Sequence, residues 1–451
     1  MDLPLLEFGP VHARTRKLSG TMIGSVLQSS PGEQPTYVGL SPRASNRNYD
    51  MKLRDHRHAA IVMLVATSFT ACSSNQATID TPDGAVDPHD GGGQVSPPHL
   101  GVNYNGLSRN YVARDVARTG AGWARAFIDM FALEDAGEPA LASNRDIAAL
   151  GRMHADGYKV LVSLKYDFSR PDRSTFSSDP NGQPFHDLSA FTTKVLDIVY
   201  PNADMLVVGN EPFIEVPGPG QRDSNDLVLF YQHMADYVLM YRANHGRDIP
   251  LYVGAFNNLH EPAWRGSGAV ALLGYAKSTP GIAGVDLHLH AGSVSEMRAA
   301  FDWAHSQLGD QKSFISTEFS LVQYFKTQLT QPIDTNFAKQ YGVDATWKVY
   351  QYLDYALKNA RPRAEWVDFL KASPWFVAVQ SSLADAVDLL HEKSFAVATY
   401  AMVQSQTGIG PTTAPWALNA LYCNRTCVPD AATGESQFNY QWIDSFRDHQ
   451  W

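Results

Sequence analysis

The sequence predicts an α/β fold, a (β/α)8 TIM barrel with a helical insertion after strand 7. Two observations predict it. From about residue 98 onward, apolar strand-like bursts alternate with amphipathic segments eight times in about 354 residues. No GxGxxG follows the first burst, which places a doubly wound open sheet second. Composition agrees: 44% hydrophobic and 18% charged residues suit a large buried core and exclude wholesale disorder.

The bursts are HLGVNYNG (99–106), GWARAFIDM (122–130), YKVLVSLKYDF (158–168), ADMLVVGNEP (203–212), PLYVGAFNN (250–258), GVDLHLHAG (284–292), KSFISTEFS (312–320) and FAVATYAMVQ (395–404). Their β-branched and aromatic content, over strand lengths, marks buried parallel strands. Between them lie helical patterns. In residues 223–242 a Ser/Asn/Asp start precedes Leu227, Tyr231, Met234, Tyr237, Val238 and Tyr241 on one face. Residues 295–309 close on a glycine, a common helix stop. The seventh and eighth bursts are about 75 residues apart, and residues 321–390 contain the helical stretches WKVYQYLDYALKN and AEWVDFLKA. An insertion there is expected on the catalytic rim, where barrels vary their loops.

The N-terminal part reads differently. Residues 51–72 place Lys52, Arg54 and Arg57 before a short apolar segment and small residues, the order of a secretory signal peptide. The apolar run is shorter than a membrane span. Its end, Phe69-Thr70-Ala71-Cys72, resembles a bacterial lipoprotein lipobox, with Phe69 in place of the usual aliphatic residue; the resemblance implies lipidation of Cys72. Met51 then reads as the true start, and residues 1–50 as a mis-start or disordered extension. Residues 73–97, rich in Asp, Gly, Pro and Ser, read as a flexible linker ahead of a catalytic barrel over 98–451. Residues 1–71 hold eight basic and five acidic residues of the chain's 36 and 46, leaving 28 against 41, a charge of −13, on the mature part. That sign disfavours nucleic acid as a partner. The expected setting is a bacterial cell envelope, with the membrane touched only through the lipid anchor, or secretion; the expected state is a monomer.

In a barrel, chemistry sits at the C-terminal ends of the strands. The fourth burst ends in Asn210 and Glu211, and Glu318 lies near the exit of the seventh. Two carboxyls about 5–5.5 Å apart serve retaining glycoside hydrolysis. The combination resembles the clan A glycoside hydrolases, barrels with an asparagine-preceded acid/base glutamate after strand 4 and a nucleophilic glutamate on strand 7. The resemblance covers most of residues 98–404. It implies hydrolysis of β-linked oligo- or polysaccharide with retention, Glu211 as acid/base and Glu318 as nucleophile, and no metal or organic cofactor. It also implies that Asn210 binds the sugar 2-hydroxyl, that His288 orients Glu211, and that Arg125 and His290 orient Glu318. The charge of Glu318 is expected to keep Glu211 protonated. The family commonly has tyrosine where His290 stands, and its frequent strand-8 tryptophan is not evident in FAVATYAMVQ, leaving Tyr400 or Gln404 for that floor.

Other readings stand beside these. The two glutamates could be structural ion-pair partners, and Arg125 could pair with Asp129. His288 and His290 share a strand face at a spacing that zinc or iron uses, which would make a metal-dependent barrel hydrolase. A barrel that keeps its cleft without turnover would be a carbohydrate-binding lipoprotein. Tyr104, Tyr166 and Trp264 fall in expected rim segments, where aromatic rings stack on sugars, although core packing is the commoner use of each. Three cysteines are too few for a disulfide-built scaffold; Cys423 and Cys427, closely spaced but separated by three residues rather than the two of a redox CxxC, are expected to form a local disulfide.

Overall fold

Eight strands close into one barrel: β1 (Leu100–Asn103), β2 (Trp123–Asp129), β3 (Lys159–Lys165), β4 (Met205–Val208), β5 (Leu251–Asn257), β6 (Gly284–His290), β7 (Ser313–Ser320) and β8 (Val397–Ala401). Every neighbouring pair is parallel, and β8 returns to β1 through Leu100 opposite Ala398. The structure, a computed structural model, describes residues 99–451. The N-terminal extension, the signal peptide with Cys72 and the linker lie outside the described residues.

All eight bursts become strands within their predicted ranges. Strands β1, β4, β5, β6 and β8 are fully buried; four of them are apolar or small along most of their length, while β6 buries Asp286, His288 and His290, each with a hydrogen-bond partner. Helix Asn225–Asn244 turns Leu227, Tyr231, Met234, Val238 and Tyr241 into the core, with Tyr237 half-buried at its margin. Helix Val294–Leu308 starts with the Ser293 hydroxyl accepting from the Glu296 amide and stops at Gly309. Between β7 and β8 lie six helices, from Val322–Gln328 to Ser382–Glu392.

Two irregularities of register set up the site. Between β5 and β6, Val253 pairs with Val285 but Phe256 with Leu287, so β5 spends one extra residue. Between β6 and β7, Asp286 pairs with Ile315 but His288 with Glu318, and here the extra residue is on β7. A bulge re-aims the side chains beyond it. Past these two, Asn257, His288 and Glu318 stand side by side across three strands.

Candidate active site

β4 ends at Val208, and the chain turns inward at Gly209 with φ 104°. A Cβ at 209 would lie 2.0 Å from the Gly254 carbonyl oxygen, so only glycine makes this turn. Asn210 and Glu211 follow directly, at the mouth of the barrel.

Arg125 of β2 is wholly buried and fans its donors across the strand ends. Its Nη1 donates to Glu318 Oε1 at 2.7 Å and to Asn103 and Asn105 Oδ1 at 3.1 and 3.2 Å. Nη2 donates to Asn210 Oδ1 at 2.6 Å and to Ser163 Oγ at 3.1 Å. A guanidinium so deep must have its N–H groups satisfied and its charge matched. The match is Glu318. Asp129, the other candidate partner, instead accepts from the Ala132 amide and caps helix Met130–Ala136. One residue thus ties the two carboxylate-bearing strand ends together, touching Glu318 with one nitrogen and Asn210 with the other.

His288 ties them a second time. Its Nδ1 lies 3.1 Å from Glu211 Oε1, while its Nε2 lies 2.9 Å from Thr317 Oγ1 and 3.8 Å from Glu318 Oε1. The Thr317 hydroxyl spends its one proton on Asp286 Oδ2, at 2.6 Å, so Nε2 must be the donor to Thr317. A single proton then remains for the contact between Nδ1 and Glu211. Asn257 Nδ2 donates to the same Glu211 oxygen at 2.7 Å. On the other side, His290 brings Nε2 to 3.4 Å from Glu318 Oε2, an ion-pair distance long for a hydrogen bond, while its Nδ1 bonds Ser320 Oγ at 2.7 Å.

Charge follows from this geometry. Burial pushes Glu318 up, but the charges of His288 and Arg125 more than offset it, and its carboxyl lies well below the ordinary range. For Glu211, burial also raises and the His288 hydrogen bond lowers, with a net lowering. His288 is lowered by burial and raised by the charge of Glu318 and the bond to Glu211, ending above its usual value. Both directions favour the shared proton on His288. The repulsion from Glu318 expected to keep Glu211 protonated is present, and the His288 hydrogen bond opposes it.

Glu211, Glu318 and Asn210 line a cavity of about 680 Å³, together with Phe127, Lys165 and Trp416. Its walls come from the segments after β1, β2 and β8. Among the described residues, none of 321–390 lines it, so the post-β7 helices are not the cleft wall that the sequence suggested. Helix Val322–Gln328 packs instead behind the turn Trp416–Leu418.

The predicted aromatic set does not meet at the cleft. Tyr104 is buried edge-on to Tyr111, and Tyr166 is buried against Phe131 and Phe230 with its hydroxyl on Thr192. Trp264 lies under Arg222, whose guanidinium carbon is 3.6 Å from the ring centre. The cleft aromatics are Phe127 and Trp416, and Trp416 meets His290 edge to face at 4.9 Å between ring centres. Trp416 lies in the loop beyond β8, past the window in which a strand-8 tryptophan was sought; Tyr400 is buried with its hydroxyl on Asn419, and Gln404 does line the cleft. Sequence reasoning also missed Lys165 and Glu215. Lys165 Nζ lies 2.8 Å from Glu215 Oε1, which also accepts from Asn210 Nδ2 at 2.8 Å. Burial raises Glu215 to about 7 despite Lys165. Cys423 and Cys427 form a disulfide.

Glu211, His288 and His290 each offer a donor atom, all within 4.8 Å of one another, the spacing a metal ion needs. Asp286 and Thr317 stand behind His288 as outer partners would. The charge inventory is less favourable: Glu318 is already matched by Arg125, leaving Glu211 as the one anionic ligand.

No protein-family model matches the chain, and no curated protein matches it. Among solved structures it is similar to the Ignisphaera aggregans GH53 catalytic domain, at 13% identity over 77% of this chain and 95% of that one, with a TM-score of 0.49. A β-glucosidase from Exiguobacterium marinum gives 13% identity over 78% of this chain and 97% of that one, TM-score 0.36. A glucosidase from Croceicoccus marinus gives 10% over 75% of this chain and 61% of that one, TM-score 0.42. These neighbours are glycoside hydrolases; for this chain the barrel itself rests on the strand pairing above.

Proposed function

We propose that the protein is a retaining glycoside hydrolase acting on β-linked oligo- or polysaccharide. The observation that carries the reading is that Glu211 and Glu318 face the two nitrogens of one imidazole, with Arg125 bridging Glu318 to Asn210. A carboxylate held anionic among cations is a nucleophile in waiting, and a carboxylate beside a proton donor is an acid/base.

In the first step Glu318 attacks the anomeric carbon while the proton held at His288 Nδ1 passes to Glu211 and from it to the leaving oxygen, which leaves His288 neutral and Glu211 anionic. The products are a glycosyl ester on Glu318 and the freed alcohol. In the second step Glu211 accepts a proton from water, the water oxygen bonds the anomeric carbon, and Glu318 leaves as carboxylate. Asn210, its amide oxygen fixed by Arg125 and its nitrogen by Glu215, presents the remaining N–H to the sugar 2-hydroxyl, a bond that strengthens at the oxocarbenium-like transition state. Phe127 and Trp416 supply apolar faces for the ring. Outside the described residues, the same reading makes the chain a monomeric envelope protein anchored through a lipid on Cys72.

Incubation with a panel of activated 2-fluoro glycosides, followed by mass mapping, tests the mechanism. Label on Glu318 is the expected result and also identifies the sugar. A protein that binds oligosaccharide but takes no label from any of them is a carbohydrate-binding lipoprotein. The metal triad favours a second reading, a metal-dependent hydrolase; activity lost to a chelator and restored by a divalent ion would establish it in place of the first.

A further inference from the structure

We infer that the loop closed by the Cys423–Cys427 disulfide is a positioning element for the substrate wall of the cleft, acting through Asn424 and Arg425. The inference deepens the reading above and rests on it.

The connection runs through hydrogen bonds. Asn424 is exposed, yet its side-chain amide pairs with the backbone of Gln404 at both ends: Oδ1 accepts from the Gln404 amide at 3.0 Å, and Nδ2 donates to the Gln404 carbonyl at 3.1 Å. Arg425 Nε donates to the Gln406 carbonyl at 3.2 Å. Gln406 in turn closes the loop that carries the cleft tryptophan, its Nε2 donating to the Ala414 carbonyl at 2.9 Å and its Oε1 accepting from the Ala417 amide at 3.0 Å. Gln404, Ser405 and Trp416 line the cavity, and Trp416 touches the His290 ring beside Glu318.

This wall has no strand to hold it. β8 ends at Ala401, and the backbone from Met402 to Gly410 makes no regular ladder. Backbone outside a sheet needs other partners, and a side-chain amide paired to both groups of one residue substitutes for a rung of sheet. The disulfide spans four positions, and the amides of Thr426 and Cys427 both donate to the Cys423 carbonyl, so the two clamping residues sit on a tight, closed turn. A constrained turn loses less conformational freedom when it clamps another segment. Asn424-Arg425-Thr426 also spells a glycosylation sequon, but here the nitrogen that would be modified is spent on Gln404.

The test uses the full chain with Asn424→Ala, Asn424→Asp and the double variant Cys423→Ser/Cys427→Ser. Hydrogen exchange, read segment by segment, requires no turnover and so stands whether or not the glycosidase reading does. The expected result is faster exchange confined to about residues 404–417 in Asn424→Ala and the double variant, with Asn424→Asp intermediate because it keeps the acceptor. On the substrate identified by labelling, KM is expected to rise about tenfold while kcat stays within about twofold. Unchanged exchange over 404–417 overturns the inference. So does exchange that rises across the whole barrel, which would make the loop a general stability element, or a loss confined to kcat.

Discussion

The two ends of the barrel interior belong to one closed sheet and could hardly differ more. At the lower end Leu161, Met205, Val207, Tyr252, Ile315 and Val397 form an apolar cluster of their own. Nearer the C-terminal ends, β2, β3, β6 and β7 carry Arg125, Ser163, His288 and Glu318, every one of them buried or nearly so, in a continuous polar network. The lower layer is stabilised by area removed from water and tolerates similar shapes. In the upper layer charge is stabilised only by its matched partner, so that removing one member strands the rest. Precision at the mouth rests on a base that asks only to be filled.

The sharpest way to break that comparison is to neutralise the upper layer at its reactive point. Glu318→Gln is expected to lower kcat by about 10⁴-fold or more and, because it leaves the buried Arg125 without its anion, to lower the thermal midpoint as well, measured by steady-state kinetics and melting. Next, Arg125→Met leaves Glu318 buried without its cation; a loss of about 3–5 kcal/mol in denaturant unfolding is expected, together with a rise of the Glu318 pKa. His288→Asn removes the proton held for Glu211, and kcat is expected to drop about 10²-fold. In the wild type the pH profile of kcat/KM should have its acid limb below the ordinary carboxylate range, because Glu318 is depressed, and its alkaline limb above the ordinary imidazole value, because His288 is raised; the variant should move the alkaline limb down. At the lower end Ile315→Val is expected to cost only about 0.5–1.5 kcal/mol and leave kcat untouched. The smallest effect concerns Glu215. Its folded pKa, about 7, lies above its unfolded value, so the native state holds the extra proton and stability falls as pH rises from about 4.5 toward 7. Glu215→Gln should flatten that part of the stability profile in melts taken across the range.

Much of the upper layer was legible from sequence because strand exits are easy to find. A Glu or Asn that ends an apolar burst has few places to go other than the barrel mouth, and an Arg alternating with Phe127 and Asp129 on a core strand demands a buried anion. What was not legible depends on loops and bulges. Tyr104 and Tyr166 follow their strands just as rim residues would, but nothing local separates a ring that turns outward from one that turns under Tyr111 or Phe131. Trp416 has no periodicity around it and comes to the cleft on a loop clamped by Asn424 and Arg425, contacts between residues that the sequence does not place together. The pairing of Glu318 with His288 needs an extra residue in β7, and a bulge leaves no mark in a burst read by its apolar content. Proton location was the least legible: the repulsion between two glutamates can be written from sequence, whereas the Thr317–Asp286 bond that fixes the imidazole's other nitrogen cannot.

Gly209 has a consequence for anyone who would redesign this protein. The residue aims Asn210 and Glu211 at the barrel mouth, and no side chain fits against the Gly254 carbonyl. A mutagenesis library spread evenly over the mouth would therefore waste its variants at 209, while Ser405, which lines the cavity between the clamped residues Gln404 and Gln406, offers a side chain outside both the carboxylate network and the clamp. Where new sugar preferences are sought, diversity belongs on that side.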